Sequence, residues 1–341
     1  MTTPRIAVVG AGLIGRKHAD LVARHATLCA IVDPDPAARE VAHALDVPHH
    51  ESLGQCLAAD PPDGAVIATP NQLHVPHALA CVAEGIPVLV EKPLADTGEA
   101  AARLVEAAEA AGVPVLVGHH RRHNPLIAAA KAAIDAGRLG EIVTVDTKFW
   151  LYKPDDYFAP AWRRAAGAGP VFINLIHDVD LMRHLVGEIA RVTAVQSSRV
   201  RGHAVEDTAA VLMEFANGAI GTATVSDTVV APWSWEFTSA ENPAYPNVPA
   251  TCYAIGGTDA SLSIPDLRLY AHTGRRGWWE PMAAEALPVV PQDPLVRQIL
   301  HFADVIRGVA APLVSAREGL RTLAVVEAVR RSAATRTPQE V

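Results

Sequence analysis

The stretch Arg5-Ile-Ala-Val-Val9 runs directly into Gly10-Ala-Gly12-Leu-Ile-Gly15, and it decides the fold. The apolar, β-branched residues predict a buried strand, and a helical pattern follows the glycines. Gly10 permits a tight turn out of the strand, Gly12 lets backbone N–H groups approach a pyrophosphate, and Gly15 lets the helix pack close to the sheet. The phosphates then lie at the helix N-terminus, where N–H groups favour negative charge. This stretch predicts a dinucleotide-binding domain.

The next apolar run, Leu28–Val32, ends at Asp33. A carboxylate about twenty residues after the glycines can accept hydrogen bonds from the ribose hydroxyls of the adenosine half of the cofactor. The same negative charge repels the additional phosphate of NADP, so we expect NAD rather than NADP. NADP remains the alternative cofactor because of Arg39, since an arginine near this strand end can bind a phosphate.

A second charged strand end is Glu91-Lys92-Pro93, which follows the apolar run Val88–Val90. Pro93 has no N–H to donate, so the strand must stop there. In open α/β sheets the carboxyl ends of the strands face the ligand crevice. The tripeptide therefore either places Lys92 at a ligand site or is a plain turn at a strand end.

Lys92 has the chemistry that hydride transfer from a hydroxyl-bearing carbon requires. When hydride leaves such a carbon, the oxygen must lose its proton, and a side chain has to accept it. Desolvation and a positively charged nicotinamide disfavour the ammonium form of a nearby lysine, which prepares it to act as the base. Glu91 and Lys92 point to opposite faces of the strand, so we expect Glu91 to contact the cofactor or backbone.

Strands and helices alternate as far as Val113–Val117, a pattern that predicts a parallel sheet with right-handed crossovers. Within it we expect a helix over Val75–Glu84 and a capping box formed by Asp96 and Glu99. After a helix near Pro125–Ala136 the pattern changes to successive strands joined by turn residues. We predict a doubly wound Rossmann domain at residues 1–123 and an α+β domain with an open, mainly antiparallel sheet at residues 124–341. The C-terminal helices can pack back on the first domain, and Val229–Pro249 is predicted to be a long ordered loop.

Composition excludes several classes of protein. The 341 residues carry a formal net charge of −8 and no basic cluster interleaved with aromatic residues, which argues against a nucleic-acid surface. No apolar run is long enough to span a bilayer. The chain runs straight into its first strand and leaves no room for a signal peptide, so we expect a cytoplasmic protein. The four scattered cysteines lack metal-ligand spacing, and no metal site is expected.

His177 is a second candidate for proton handling. It lies in Asn174-Leu-Ile-His177-Asp-Val-Asp180, which we interpret as helical. Asn174 and His177 are then three residues apart on one face. The flanking carboxylates can orient the imidazole and raise its basicity. A satisfied, non-catalytic histidine is the alternative.

In combination these motifs resemble those of the Gfo/Idh/MocA family of nicotinamide-dependent oxidoreductases, and the resemblance extends nearly end to end. It rests on the glycine stretch, Ala68-Thr-Pro-Asn71 with His74, Glu91-Lys92-Pro93 and Ile176-His177-Asp-Val-Asp180. Members resemble one another in having a Rossmann domain followed by an open antiparallel sheet. Many oxidise a sugar or cyclitol hydroxyl with NAD(P), and many are dimers or tetramers formed through the second sheet. The resemblance therefore implies a polyol or sugar substrate and a homodimer or homotetramer.

The residues and the resemblance together define the expected site. Lys92 and His177 are the expected catalytic residues. His120 and Arg121 match positions that line the substrate site, although a solvated basic loop is the alternative for this segment, and Asn174 is expected to align the substrate. Trp162 and Arg163 match a pair near the nicotinamide half. The expected cofactor-binding residues are Gly10, Gly12, Leu13, Ile14, Gly15, Asp33, Thr69, Pro70, Asn71, His74, Glu91, Lys92, Trp162 and Arg163.

The chain departs from the family at Ile173, where inositol-dehydrogenase-like members carry an aspartate four residues before the histidine. Isoleucine cannot accept a hydrogen bond from a substrate hydroxyl, so inositol specificity does not carry over. Ala168 replaces the middle residue of a common run of three glycines, and its methyl is tolerated unless the position needs a positive φ.

Two other functions are compatible with these motifs. A hydrolase or lyase on the same fold would oxidise a ring hydroxyl transiently with tightly bound NAD and release no NADH. A non-catalytic sensor of the NAD ratio would need the glycine stretch, but it would not need Lys92 and His177 together.

Overall fold

The computed structural model describes residues 3–165 and 167–341, and the chain forms two compact units. One unit comprises the residues up to His123 together with Gln292–Leu323. The other comprises Asn124–Pro291 together with Ala324–Val341. Each unit contains its own β-sheet.

Within the described residues, six parallel strands form the sheet of the first unit. They are β1 (Arg5–Val9), β2 (Thr27–Val32), β3 (His49–His50), β4 (Gly64–Ile67), β5 (Val88–Val90) and β6 (Val115–Val117). Their order is β3-β2-β1-β4-β5-β6, with every neighbouring pair parallel. The helices between them are α1 (Leu13–His25), α2 (Ala38–Ala44), α3 (Leu53–Ala59), α4 (Asn71–Ala83) and α5 (Gly98–Ala111). The chain reverses its direction of progress between β1 and β4, where such sheets bind their ligands, and the predicted Rossmann fold is confirmed.

The central strands carry the core of this unit. In β4 and β5 every residue of Ala65–Ile67 and Val88–Val90 is fully buried. A parallel sheet that is covered on both faces has apolar strands without alternation. Each buried valine, leucine or isoleucine contributes about 1.5–3 kcal/mol. This core holds the strand ends, and with them the polar residues that follow, in fixed positions.

Two helices of the first unit begin at other residues than predicted. α4 begins at Asn71 rather than Val75, so His74 lies in its first turn. α5 is capped by Thr97, whose hydroxyl accepts the N–H of Ala100 at 3.2 Å, and not by Asp96. Both residue types cap helices, so spacing alone placed the cap one residue too early. β3 and α3 were not predicted, because they are too short to show a clear period.

The second unit contains a nine-stranded sheet among the described residues. Its strands are β7 (Ile142–Trp150), β8 (Ile189–Ser197), β9 (Thr208–Phe215), β10 (Ile220–Ser226), β11 (Tyr253–Gly257), β12 (Ala260–Ile264), β13 (Arg268–His272), β14 (Met282–Ala286) and β15 (Gln339–Glu340). The order is β14-β13-β12-β11-β7-β10-β9-β8-β15. Only the β7–β10 pair is parallel within this described sheet, so the mainly antiparallel prediction is confirmed.

The remaining helices are α6 (Pro125–Asp135), α7 (Ile176–Leu185), α8 (Trp235–Thr238), α9 (Pro294–Ile306) and α10 (Ala316–Thr335). α8 lies in the segment predicted to be a continuous loop, and Ser234 caps it by accepting the N–H of Phe237. β14 and β15 were not predicted. No helix in residues 3–165 and 167–341 is long and apolar enough to cross a membrane.

One face of the second sheet is open. Along β9 the buried and more exposed residues alternate, with Leu212 on the exposed face. Leu212 lies opposite Thr193 of β8 and Thr222 of β10, which share that face. Alternation of this kind is typical of an antiparallel sheet that packs on one side only.

Candidate functional site

The glycine stretch forms the turn from β1 into α1, and each glycine has a separate physical role. Gly10 has a φ of +96°, and a Cβ there would lie 2.6 Å from the Ala68 carbonyl oxygen. A Cβ at Gly15 would lie 1.9 Å from the Gly10 carbonyl oxygen. A Cβ at Gly12 would meet no atom within 4 Å, so the space above this residue is open. Gly10 and Gly15 are therefore required by packing, whereas Gly12 leaves room for a ligand.

The first turn of α1 borders that open space. Gly12 is the N-cap residue and accepts the N–H of Arg16 at 2.9 Å. Leu13 is 95 % exposed, and Ile14 is 37 % exposed. The N–H groups of a helix start bind phosphate oxygens, and this one is followed by no acidic residue in its first turn. The residues present therefore fit a pyrophosphate.

Asp33 lies at the end of β2 and is fixed by backbone hydrogen bonds. One carboxylate oxygen accepts the N–H of Ala11 at 2.6 Å, and the other accepts the N–H of Asp35 at 2.8 Å. The carboxylate is thus tied to the glycine turn, where the ribose of a dinucleotide is expected. Arg39, the residue that left NADP open, forms an ion pair with Glu51 at 2.6 Å.

The segment after β4 carries four of the expected cofactor residues. Pro70 precedes α4, Asn71 is its first residue, and Thr69 lies just before them. His74 is buried, with Nδ1 2.7 Å from the Pro93 carbonyl oxygen and Nε2 2.8 Å from the Thr69 carbonyl oxygen. Burial lowers the pKa of His74, and the two carbonyl oxygens oppose that shift. His74 thus links the loop after β4 to the loop after β5. Its contact with the cofactor stays a prediction.

Glu91 and Lys92 lie at the end of β5. The Glu91 carboxylate is buried and accepts the backbone N–H of Lys92 at 3.1 Å, in agreement with the expected backbone contact. Its other oxygen lies 2.8 Å from Nε2 of His18, a fully buried residue of α1. Burial alone would raise the pKa of Glu91, but the His18 hydrogen bond and the charges of His18, Lys92 and His120 lower it to about 2. Lys92 itself is half-buried, and the Lys92–Pro93 peptide bond is cis.

The basic segment after β6 is largely buried rather than solvated. His120–His123 forms a single turn of 3₁₀ helix, in which Arg121 and Arg122 are 3 % and 6 % exposed. Arg122 pairs with Glu318 at 3.2 Å. His123 packs its ring against His301, and burial lowers its pKa to about 3. The segment is therefore not a solvated basic loop, and the substrate-facing role of His120 and Arg121 stays a prediction.

His177 lies in α7 of the second unit. The chain enters this helix through a turn of π-helix at Val171–Leu175, which includes Asn174. π-Helical turns occur frequently at functional sites. His177 is buried, and the adjacent Asp178 accepts a hydrogen bond from the hydroxyl of Tyr253 in β11. This bond joins the start of α7 to the sheet.

Lys153 is a further polar residue of this region and is not among the residues predicted from the sequence. Its ammonium donates to Oδ1 of Asn174 at 2.8 Å and lies 4.9 Å from the centroid of the Tyr157 ring, although the residue is only 7 % exposed. Lysine has donors only, so the carboxamide oxygen of Asn174 must face it. A signal was available, because Lys153-Pro154 follows the end of β7 as Lys92-Pro93 follows the end of β5.

The remaining expected residues lie on another single turn of the second unit. Trp162 and Arg163 belong to the 3₁₀ helix Ala161–Arg164, where Trp162 is 59 % exposed. The Arg163 guanidinium stacks 4.1 Å above the Tyr157 ring and donates to the Tyr157 carbonyl oxygen at 2.7 Å. Ala168 lies outside the left-handed region of φ, so its methyl is tolerated.

Two family models match the chain. Residues 4–119 match the one described as "Oxidoreductase family, NAD-binding Rossmann fold", and residues 131–341 match "Oxidoreductase family, C-terminal alpha/beta domain". Together they cover both units.

Individual relatives agree with these matches. The chain is 33 % identical to the rhizopine catabolism protein MocA of Rhizobium meliloti over 55 % of this chain and 59 % of that protein. It is 32 % identical to inositol 2-dehydrogenase 4 of Saccharopolyspora erythraea over 64 % of this chain and 65 % of that protein. The chain thus spans about three fifths of the length of these relatives.

A solved structure covers almost the whole chain. The WlbA dehydrogenase of Bordetella pertussis, in complex with NADH and UDP-GlcNAcA, superimposes with a TM-score of 0.80. The two sequences are 27 % identical, and the match covers 99 % of each chain.

Proposed function

The chain belongs to the Gfo/Idh/MocA family of oxidoreductases, and from this we propose that it is an NAD-dependent dehydrogenase. It would transfer hydride between a secondary hydroxyl of a sugar, cyclitol or sugar acid and the nicotinamide, with Lys92 and His177 handling the proton. The observation that carries the proposal is the shared position of Lys92, Asp33 and the open Gly12 turn. All three follow the carboxyl ends of strands in one parallel sheet.

Each part of the first unit has a defined task in this proposal. The turn at Gly12 and the first N–H groups of α1 would bind the pyrophosphate, and Asp33 would accept the ribose hydroxyls of the adenosine half. The nicotinamide, when bound, supplies the hydride acceptor. If the adenosine half lies at the end of β2, the nicotinamide half would lie towards the ends of β4 and β5. Lys92 lies there.

Lys92 and His177 would then move the hydroxyl proton. A positioned general acid or base contributes typically about 10²- to 10⁴-fold to a rate. Lys92 is half-buried on a rigid strand end, and His177 is held on a helix that Tyr253 and Asp178 join to the sheet. Rigid supports of this kind favour a fixed geometry for proton transfer.

Screening with several substrate classes tests the proposal. Purified protein is mixed with NAD⁺ and with neutral sugars, cyclitols and sugar acids, and NADH absorbance is followed while released and retained cofactor are measured separately. Released NADH that rises with substrate turnover supports a dehydrogenase. Product formation with retained cofactor and no net NADH would instead support a hydrolase or lyase. Cofactor binding with no chemistry on any class would support a sensor.

The open face of the second sheet supports assembly as a homodimer or homotetramer, which we expect to act in the cytoplasm. Val195, Leu212 and Ile220 are 49 %, 41 % and 53 % exposed on that face. A sheet face with several half-exposed aliphatic side chains and many threonines suits a flat, self-complementary contact. Light scattering of the wild type and of Leu212→Arg tests this. The variant should shift to the monomer, and an unchanged mass would remove this face from the assembly.

A further inference from the structure

We propose that His18 and Gly118 are positioning residues for Lys92. His18 is the hydrogen-bond partner of the Glu91 carboxylate, and Gly118 leaves the space that this carboxylate occupies. The carboxylate in turn accepts the backbone N–H of Lys92 and carries a negative charge near the lysine. This inference rests on the proposed function only in the role given to Lys92. The contacts themselves lie within the first unit and need no ligand.

The first part of the arrangement is the hydrogen-bonded chain from α1 to β5. His18 is 0 % exposed, and its Nε2 lies 2.8 Å from one Glu91 oxygen. The second Glu91 oxygen accepts the backbone N–H of Lys92 at 3.1 Å. A carboxylate buried at a strand end is costly unless such partners are present. Its two oxygens therefore join a helix residue to the main chain of Lys92.

Gly118 supplies the space that the carboxylate occupies. It follows β6, and its N–H donates to the Val90 carbonyl oxygen at 2.7 Å. A Cβ at Gly118 would lie 3.0 Å from the Glu91 carboxyl carbon and 3.1 Å from its Oε1. A Cβ would also lie 3.0 Å from the Glu91 Cα, so any larger residue would require Glu91 to shift by a few tenths of an ångström. The backbone approach, rather than an unusual φ, explains the glycine here.

Charge is the second link between Glu91 and Lys92. The titratable groups that face Glu91 are His18 of α1, Lys92 beside it, His120 of the following 3₁₀ turn and His74 of α4. With its pKa lowered to about 2, Glu91 is ionised at neutral pH. A neighbouring negative charge favours the protonated form of an amine, so Glu91 acts on Lys92 through its charge as well as through the backbone hydrogen bond.

The location of His18 gives this arrangement a second consequence. His18 lies one turn beyond Gly15 on α1, the helix whose first turn would bind the pyrophosphate. The position of Lys92 is therefore tied to the helix that would receive the cofactor. A displacement of α1 would reach the backbone of Lys92 through the side chains of His18 and Glu91.

The experiment measures the reactivity of Lys92 together with turnover. Wild type, His18→Gln, His18→Leu, Gly118→Ala and Glu91→Gln are labelled with acetic anhydride across a pH series, and modification of Lys92 is quantified by mass spectrometry. The exposed Lys17 of the same helix is the internal reference. His43→Gln is the matched histidine control, and Gly54→Ala is the matched glycine control because its Cβ would meet nothing within 4 Å. NAD⁺ affinity and, for any substrate found in the screen, kcat and KM are measured on the same proteins.

We expect Glu91→Gln to label Lys92 about 10-fold faster near neutral pH than the wild type, since it removes the negative charge beside the lysine. His18→Leu should change labelling in the same direction by less, because it leaves the Glu91 carboxylate in place but removes its hydrogen-bond partner. Gly118→Ala should change labelling in the same direction by less. The kcat should fall by about 10- to 100-fold in these variants, because the backbone of Lys92 is no longer held in place, while KM changes by less than about 3-fold. His18→Gln retains a hydrogen-bond donor and should recover part of the loss.

Equal labelling of Lys92 in the wild type, Glu91→Gln and Gly118→Ala would overturn the inference, whatever the activity. If the wild type oxidises nothing in the screen, the proposed function fails while the labelling result still decides the role of His18 and Gly118. If His18→Leu does not fold, His18→Gln and Gly118→Ala decide the outcome.

Discussion

Asp33→Asn should shift the cofactor preference towards NADP. The carboxylate of Asp33 is the negative charge at the end of β2, and both of its oxygens accept backbone N–H groups, from Ala11 and from Asp35. An asparagine has nearly the same size but no charge. It also presents an NH₂ group to one of the two N–H donors, so one of these hydrogen bonds is lost.

The magnitude follows from these contacts. A 2′-phosphate in place of the ribose hydroxyl would lie about 5 Å from the carboxylate, and two unit charges at that distance repel by about 3 kcal/mol at an effective dielectric of about 20. Removing this repulsion should tighten NADP⁺ binding by up to about 100-fold. The lost backbone hydrogen bond costs about 1–3 kcal/mol and loosens the glycine turn, so NAD⁺ should bind roughly 10-fold more weakly.

The assay is calorimetric titration of NAD⁺ and NADP⁺ into the wild type and the variant without substrate. Asp35→Asn is the control, because it removes a nearby exposed carboxylate that is not tied to the glycine turn. Low and high salt are compared, since screening reduces a charge effect. An NAD⁺/NADP⁺ ratio that stays within about 3-fold of the wild type in Asp33→Asn, or that shifts equally in Asp35→Asn, would refute the assignment of Asp33 as the discriminating residue.

Four further predictions concern the proton-handling residues and their supports. Lys92→Ala should lower turnover at least ~10²-fold while NAD⁺ binding persists, and calorimetry with steady-state kinetics checks both; wild-type turnover would remove Lys92 from the mechanism. His177→Ala should reduce kcat more than NAD⁺ affinity, and a selective loss of NAD⁺ binding would assign it to the cofactor instead. Lys153→Met should raise KM about 10-fold with less effect on kcat, because the Asn174 carboxamide is no longer held, and an unchanged KM contradicts this. The pKa of Glu91 falls from its ordinary 4.5 to about 2, so its ionised form stabilises the fold by roughly 3 kcal/mol above pH 4.5, and this stabilisation is lost as the pH falls towards 2. In Glu91→Gln, the free energy of unfolding measured by circular dichroism should depend less on pH between 4.5 and 2.

The fold of the first unit was predictable because its signals are local. The glycine stretch, the apolar runs and the charged residues that end them each occupy a few consecutive positions. Strand ends of a parallel sheet meet at one edge, so the positions of Asp33, Asn71 and Lys92 at that edge follow from topology. Short elements such as β3 and the exact cap of α5 were not predictable, since two-residue strands have no period and both Asp96 and Thr97 can cap a helix.

The contacts that tune the candidate site could not be read from the sequence. His18 and Glu91 are 73 residues apart, and Gly118 approaches the same carboxylate from a third element. Lys153 bonds to Asn174 across 21 residues and sets the direction of its carboxamide. The residues next to these positions in the sequence form no pattern that indicates which distant residue each one contacts.

The sequence by itself therefore determined the family, the two architectures and the residues able to carry chemistry. The tertiary structure decided which of these residues are buried, which hydrogen bonds they make and which charges they face. The physical reason is that strand and helix patterns depend on neighbours along the chain, whereas desolvation and charge depend on neighbours in space. The burial and ionisation of Glu91 beside Lys92 depend on neighbours in space, so only the tertiary structure decided them.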